Sequence, residues 1–135
     1  MAQWFATGGL AMWVVLLLLV GVLVFDVVTL VLAVAGRFGG GVLLWTARSG
    51  AALSLLLSAL PGAVGALGWW YARGQVDLVL TVVDPAQREV LRQVGYAEAL
   101  VPLQFGGGAS ALLVLVALLA CVIAFPPSRI VEEEP

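Results

Sequence analysis

Residues 10–35 read LAMWVVLLLLVGVLVFDVVTLVLAVA, 26 residues in which Asp26 is the one charge. About 20 consecutive apolar residues suffice for a helix to cross the hydrocarbon core of a bilayer. The run is expected to be a membrane span rather than a cleaved leader. No Lys or Arg precedes it, it exceeds a leader's apolar length, and Arg37 follows it like a stop signal. A second apolar stretch, 49–71, holds no charge, and residues 42–48 are expected to extend its helix into the interface. A third, 106–125, is also uncharged; Pro126 and Pro127 stop it, and an acidic tail, 126–135, ends in Glu132, Glu133, Glu134 and Pro135.

The rest of the composition agrees. The chain has 135 residues, 63% hydrophobic and 10% charged, with a net charge of −2. Soluble domains run near 25% charged, so there is too little charge here to cover a surface in water. That argues against a soluble enzyme, a disordered chain and a nucleic-acid binder, which would need a basic patch. With no His and one Cys, Cys121, neither a zinc site, a His-based dyad nor a disulfide framework is expected. The mean hydropathy of +1.14 names lipid as the solvent. Nothing in the sequence calls for a cofactor or a metal, and no enzyme is expected.

Backbone groups in lipid must be satisfied within the segment, so the three stretches are expected to be helices. The ten-residue alternating segments of a membrane β-barrel are missing from the sequence. The expectation is an all-α membrane domain over 1–135, with spans near 10–35, 49–71 and 106–125. Gly36-Arg37-Phe38-Gly39-Gly40-Gly41 joins the first two as a tight glycine connection, giving an antiparallel hairpin. A longer polar segment, 72–105, joins the second to the third. In it Asp84-Pro85 has the form of a helix N-cap with Pro at the first helical position. Val90, Leu91, Val94, Ala97 and Val101 then recur at helical spacing opposite Arg88, Glu89, Arg92 and Gln93. This predicts an amphipathic helix over 85–100, lying on the membrane surface or leading into the third span.

Trp4 and Trp13 near one end of the first helix, and Trp69, Trp70 and Tyr71 at the end of the second, fall on one side of such a hairpin as an aromatic belt. Trp45 and Phe38 mark the other side. Burial between helices is an equal alternative for Trp13. Basic residues divide evenly between the two sides; the short connection, with Arg37 and Arg48 and no acid, leans toward an outside N-terminus.

Asp26 is the sharpest signal. A carboxylate at the centre of a span costs about 2.5–3.5 kcal/mol on insertion scales. Eleven residues separate it from Arg37, which is about 16 Å of helix. Two readings stand: a proton or ion site, or contact to a partner helix; and an interfacial acid that turns to water or pairs with Arg37 or Arg48. Ser54, Ser58, Gln104 and Ser110 complete the set of candidate pathway residues. Ser58, Gly62 and Ala66 repeat every four residues, with Gly65 and Gly68 widening the same smooth surface. Small residues at that spacing let helices approach closely, within one chain or between copies. Pro61 predicts a kink, Ala117, Cys121 and Ala124 form a weaker stripe, and Gly106-Gly107-Gly108 is expected to be a flexible lead-in to the third helix.

Several strings, in order, resemble the MotA/TolQ/ExbB family of proton-channel subunits. Gly8-Gly9-Leu10-Ala11-Met12-Trp13 resembles that family's Gly-Gly-x-x-Met-Trp opening. Ser58 to Gly68, SALPGAVGALG, resembles its Ala-Pro-Leu-Leu-Gly-Leu-Leu-Gly-Thr segment. Asp84-Pro85 followed by Gly95-Tyr96-Ala97-Glu98-Ala99-Leu100 resembles its Gly-Ile-Ala-Glu-Ala-Leu lead into the last helix. The resemblance touches all three spans. It implies an outside N-terminus in a bacterial inner membrane and a homo-oligomer around a single-span ExbD/TolR-like partner. It also implies a role in proton-motive-force-coupled transport. This chain departs from the family in lacking the large insert between the first two helices and the Glu-Arg pair ending the first. It has Gly68-Trp69 and Leu103 where the family has pore threonines. The alternative that these departures open is a membrane scaffold or assembly subunit that has lost proton conduction.

Overall fold

The computed structural model describes residues 2–39 and 41–125; the acidic tail, with Pro126 and Pro127, lies outside the described residues. Five helices follow in order: α1 (Ala2–Gly39), α2 (Gly41–Leu57), α3 (Leu60–Val82), α4 (Arg88–Ala99) and α5 (Val101–Ala124). They make three long rods, Gly9–Gly39, Gly41–Val82 and Arg88–Ala124, each long and apolar enough to cross a membrane. α1 breaks at Gly9, whose φ of 56° and ψ of −150° fall in a region that only glycine occupies without strain.

The second rod is 42 residues long, about 63 Å at 1.5 Å per residue, and is broken once. Pro61 has no N–H to give to Leu57; the Ser58 N–H still bonds the Ser54 carbonyl at 2.9 Å, and the ladder breaks at Ala59, whose N–H turns to the Leu56 carbonyl at 3.3 Å. Three sequence expectations change here. α3 does not stop at Tyr71 but runs to Val82, because Arg73, Gln75 and Asp77 interrupt hydropathy without interrupting helix. Asp84-Pro85 starts a turn rather than the helix itself: Asp84 Oδ1 accepts the Ala86 N–H at 3.1 Å, and α4 begins at Arg88. Gly106, Gly107 and Gly108 lie inside α5 and are not a flexible lead-in. The short connection is likewise mostly helical, since α1 continues through Arg37 and Phe38 to Gly39; Gly40 lies outside the described residues.

α1 and α5 each run antiparallel to the second rod. Gly36 lies against Leu44 and Gly68 against Ala11 at the two ends of the first pairing. Cys121 faces Ala51, and Ser110 faces Gly62, in the second. The core is made of small side chains: Ala33, Ala47, Ala51, Ala120 and Ala124 form one buried cluster. Met12, Val15 and Leu113 are the largest apolar side chains fully enclosed, while Leu17, Val24, Val31, Leu56, Leu115 and Val122 face outward. A bundle with small residues inside and large ones outside is the arrangement that suits helices in lipid, where close approach rather than hydrophobicity holds them.

Beyond Trp69 and Tyr71, α3 and α4 continue as a helical hairpin. Tyr96 Oη donates to Asp77 Oδ1 at 2.5 Å, and the Arg73 guanidinium lies 5.1 Å from the Tyr96 ring and 5.8 Å from that of Trp69. Val90, Leu91 and Val94 of α4 stay exposed.

Candidate functional site

α1 places Asp26 and, one turn on, Thr29 on the face that meets α2. Asp26 is fully enclosed. Ser54 of α2 donates its hydroxyl to Asp26 Oδ1. Oδ2 is enclosed too and has no partner among the described residues. Thr29 is also buried and lies against Gly50; a methyl group on Gly50 would stand 3.1 Å from Thr29 Oγ1. The absent side chain of Gly50 is what gives Thr29 its room. Neither Thr29 nor Gly50 stands out in the sequence alone. The spacing of three from Asp26 was the available signal for Thr29, and Gly50 carries none until the pairing register is known.

Asp26 touches neither arginine. Arg37 and Arg48 donate through Nε to the Ile123 and Ala124 carbonyls instead, at 3.2 and 3.1 Å. Asp26 is therefore paired with neither Arg37 nor Arg48, and, being enclosed, does not turn to the surface. The last carbonyls of α5 have no intrahelical donor, so they take the arginines, while Asp26 lies about 16 Å further along α1.

The other pathway candidates divide. Ser58 is fully buried, but its hydroxyl donates to the Leu55 carbonyl of its own helix at 2.7 Å. Ser110 Oγ accepts the Gly62 N–H at 2.8 Å, so this hydroxyl mends a backbone group beside the Pro61 break. Gln104 is exposed, beside Leu19 and Phe105, and does not join the buried polar residues. Of the pathway candidates, two pairs therefore meet across helices, Asp26–Ser54 and Gly62–Ser110, and Ser58 between them is used by its own backbone.

The small-residue surface of α3 is taken up within the chain. A methyl group on Gly65 would stand 2.5 Å from the Pro102 carbonyl oxygen, and one on Gly106 2.5 Å from that of Pro61. Gly62, Gly65 and Gly106 thus bring α3 and α5 into backbone contact, and Gly68 fits Ala11 and Pro102. Ala66 is partly exposed beside this seam. Of the aromatic anchors, Trp45, Trp70 and Tyr71 are exposed and Trp69 is partly covered; the Trp4 side chain lies outside the described residues. From Trp45 to Trp70 is about 37 Å along the rod, close to a hydrocarbon core with part of its interfaces.

A groove of about 750 Å³ opens between the start of α1, α3 and the α4–α5 junction, lined by Gly9, Leu67, Gly68, Gln75, Glu98 and Pro102 among others. It lies level with Ala11, some 15 residues from Asp26 on α1, and does not reach it. Among the described residues no three His, Cys, Asp or Glu side chains come together. Set against protein-family models, curated proteins and solved structures, the chain matches none.

Proposed function

We infer that the chain is a non-enzymatic subunit of a membrane complex coupled to the proton motive force, resembling ExbB and TolQ, in a bacterial inner membrane with its N-terminus outside. The observation that carries this reading is Asp26: an acid enclosed in the middle of a bundle, with one carboxylate oxygen held by Ser54 and the other without a partner. Acids inside a span are costly, and their usual uses are proton relays and ion paths. A carboxyl group serves that use because it accepts hydrogen bonds when ionised and also donates one when protonated. The spans and their ordered strings support the resemblance, which brings with it a homo-oligomer and an ExbD/TolR-like single-span partner. Because α5 already covers the Gly62–Gly65 face, copies of the chain meet through other surfaces in this reading.

A second reading, a scaffold that keeps the architecture without conduction, is favoured by one observation. Ser58 and Ser110 are used by helix backbones and Gln104 faces outward, so these three do not continue the path that Asp26 starts. Proton flux into liposomes separates the two. With a partner subunit present, the wild-type chain should carry flux that Asp26→Asn abolishes while insertion and assembly persist. Little flux is expected from the chain alone. Equal flux in wild type and Asp26→Asn selects the scaffold. Strong flux from the isolated chain, lost in Asp26→Asn, would mean that the missing threonines matter less than the second reading requires.

A further inference from the structure

Two arginines from different helices are fixed side by side by one helix end. Arg37 of α1 and Arg48 of α2 donate through Nε to consecutive carbonyls, Ile123 and Ala124, where α5 finishes. Arg48 also lies over the Phe125 ring, 5.3 Å from its centroid. A guanidinium has five N–H donors, and Nε supplies one of them. Among the described residues the terminal Nη groups of both have no hydrogen-bond partner. Neither arginine has a carboxylate partner among the described residues: Asp77, Asp84, Glu89 and Glu98 belong to α3, α4 and their connection at the other end of the bundle, and Asp26 is enclosed with Ser54. Exposed Phe38 and Trp45 flank the pair.

The opposite end of the bundle shows what is different here. Arg92 pairs with Glu89 at 3.7 Å, and Arg73 is stacked between Trp69 and Tyr96 near Asp77. Arg88 there donates through Nε to the Val83 carbonyl at 3.0 Å, and the three cations of that end share it with four acids, Asp77, Asp84, Glu89 and Glu98. Among the described residues the Arg37–Arg48 end has two cations and no acid, with exposed Phe38 and Trp45 beside them.

We propose that Arg37 and Arg48 form a binding site for the phosphate group of an anionic phospholipid. The planar fork of arginine fits phosphate oxygens with paired hydrogen bonds. Anchoring each guanidinium through Nε leaves little side-chain freedom to lose on binding. The flanking Trp45 and Phe38 set the pair at headgroup level, where basic groups next to a span attract anionic lipids. The site does not depend on which way the chain crosses the membrane.

The test is retention of lipid by the full chain, purified in detergent and weighed as an intact complex after addition of phosphatidylglycerol or phosphatidylcholine. Phosphatidylglycerol should be retained in preference. The double variant Arg37→Gln, Arg48→Gln should lose that preference by roughly tenfold or more, whereas Arg73→Gln should keep it. Helicity is measured on each variant. Should the double variant unfold, the wild-type chain still decides, because its preference must shrink as salt is raised. Equal retention of the two lipids, or an unchanged preference in a folded double variant, would overturn the proposal. So would displacement of the lipid by inorganic phosphate at similar concentration, which would make the ligand a free phosphate. A many-fold rise in retention on replacing Glu132, Glu133 and Glu134 by Gln would also overturn it, by showing that the chain's own tail occupies the arginines.

Discussion

The two halves of the bundle are built from the same apolar vocabulary and hold their helices differently. In the half nearer the short connection, alanines meet: Ala33, Ala47, Ala51, Ala120 and Ala124. In the other half, glycines and prolines meet: Gly62, Gly65 and Gly106, with Pro61 and Pro102. Backbones touch at the glycine seam, and its polar link, Ser110 to Gly62, serves only to repair the break at Pro61. Between these two packed layers lies the enclosed carboxyl of Asp26. One residue of side chain between helices leaves space for a polar pair, whereas backbone contact leaves none. The difference places the candidate chemistry on the α1–α2 contact and the rigidity on the α3–α5 contact.

The largest effect should come from forcing the glycine seam apart. Gly65→Val would drive a Cβ to 2.5 Å from the Pro102 carbonyl oxygen and 3.1 Å from Gly106 Cα. These are backbone atoms that cannot swing away, so the variant should lose about 3 kcal/mol or more, seen as a fall in thermal stability in detergent. A stable Gly65→Val protein would show that the seam is looser than described. Next in size is Ser54→Ala. It removes the donor to Asp26 Oδ1 and leaves both carboxylate oxygens enclosed without a partner, at a cost of about 1–3 kcal/mol. The double variant Ser54→Ala, Asp26→Leu should recover most of that loss in an unfolding titration. If it does not, Ser54 acts through packing and not through the hydrogen bond.

The smallest effect has the opposite sign. Nothing lies within 4 Å of a methyl group on Gly107 or Gly108, and both sit inside α5. Gly107→Ala should therefore stabilise the protein by roughly 0.5–1 kcal/mol through helix propensity, while Gly106→Ala, one residue away, should destabilise it. Equal effects at the two positions would mean that the triplet is not helical.

This contrast shows what the sequence could and could not tell. The three apolar rods follow from hydropathy, because twenty uncharged residues have few other uses. The reach of α3 to Val82 was hidden because Arg73 and Asp77 lower hydropathy while remaining good company for a helix. The glycine triplet suggested flexibility because glycine propensity is a local quantity. Its helical state is decided by a contact between Gly106 and Gly65, forty-one residues apart in sequence. Asp26 drew attention by its cost in lipid, and Ser54 by its place on a small-residue stripe. That they meet depends on the α1–α2 register, which pairs Gly36 with Leu44 and Thr29 with Gly50. Arg37 and Arg48 looked like the obvious partners for Asp26, and geometry sends them to α5 instead.

The proton exchange proposed for Asp26 inside the bundle is open to infrared difference spectroscopy. The chain, assembled with a partner subunit in liposomes, is measured with and without an imposed proton gradient. The carboxyl carbonyl stretch should change when the gradient is applied, and the change should be absent in Asp26→Asn, which keeps the side chain's shape without its titratable proton. A carboxyl signal that stays constant across the gradient, or a change that persists unaltered in Asp26→Asn, would contradict that proposal.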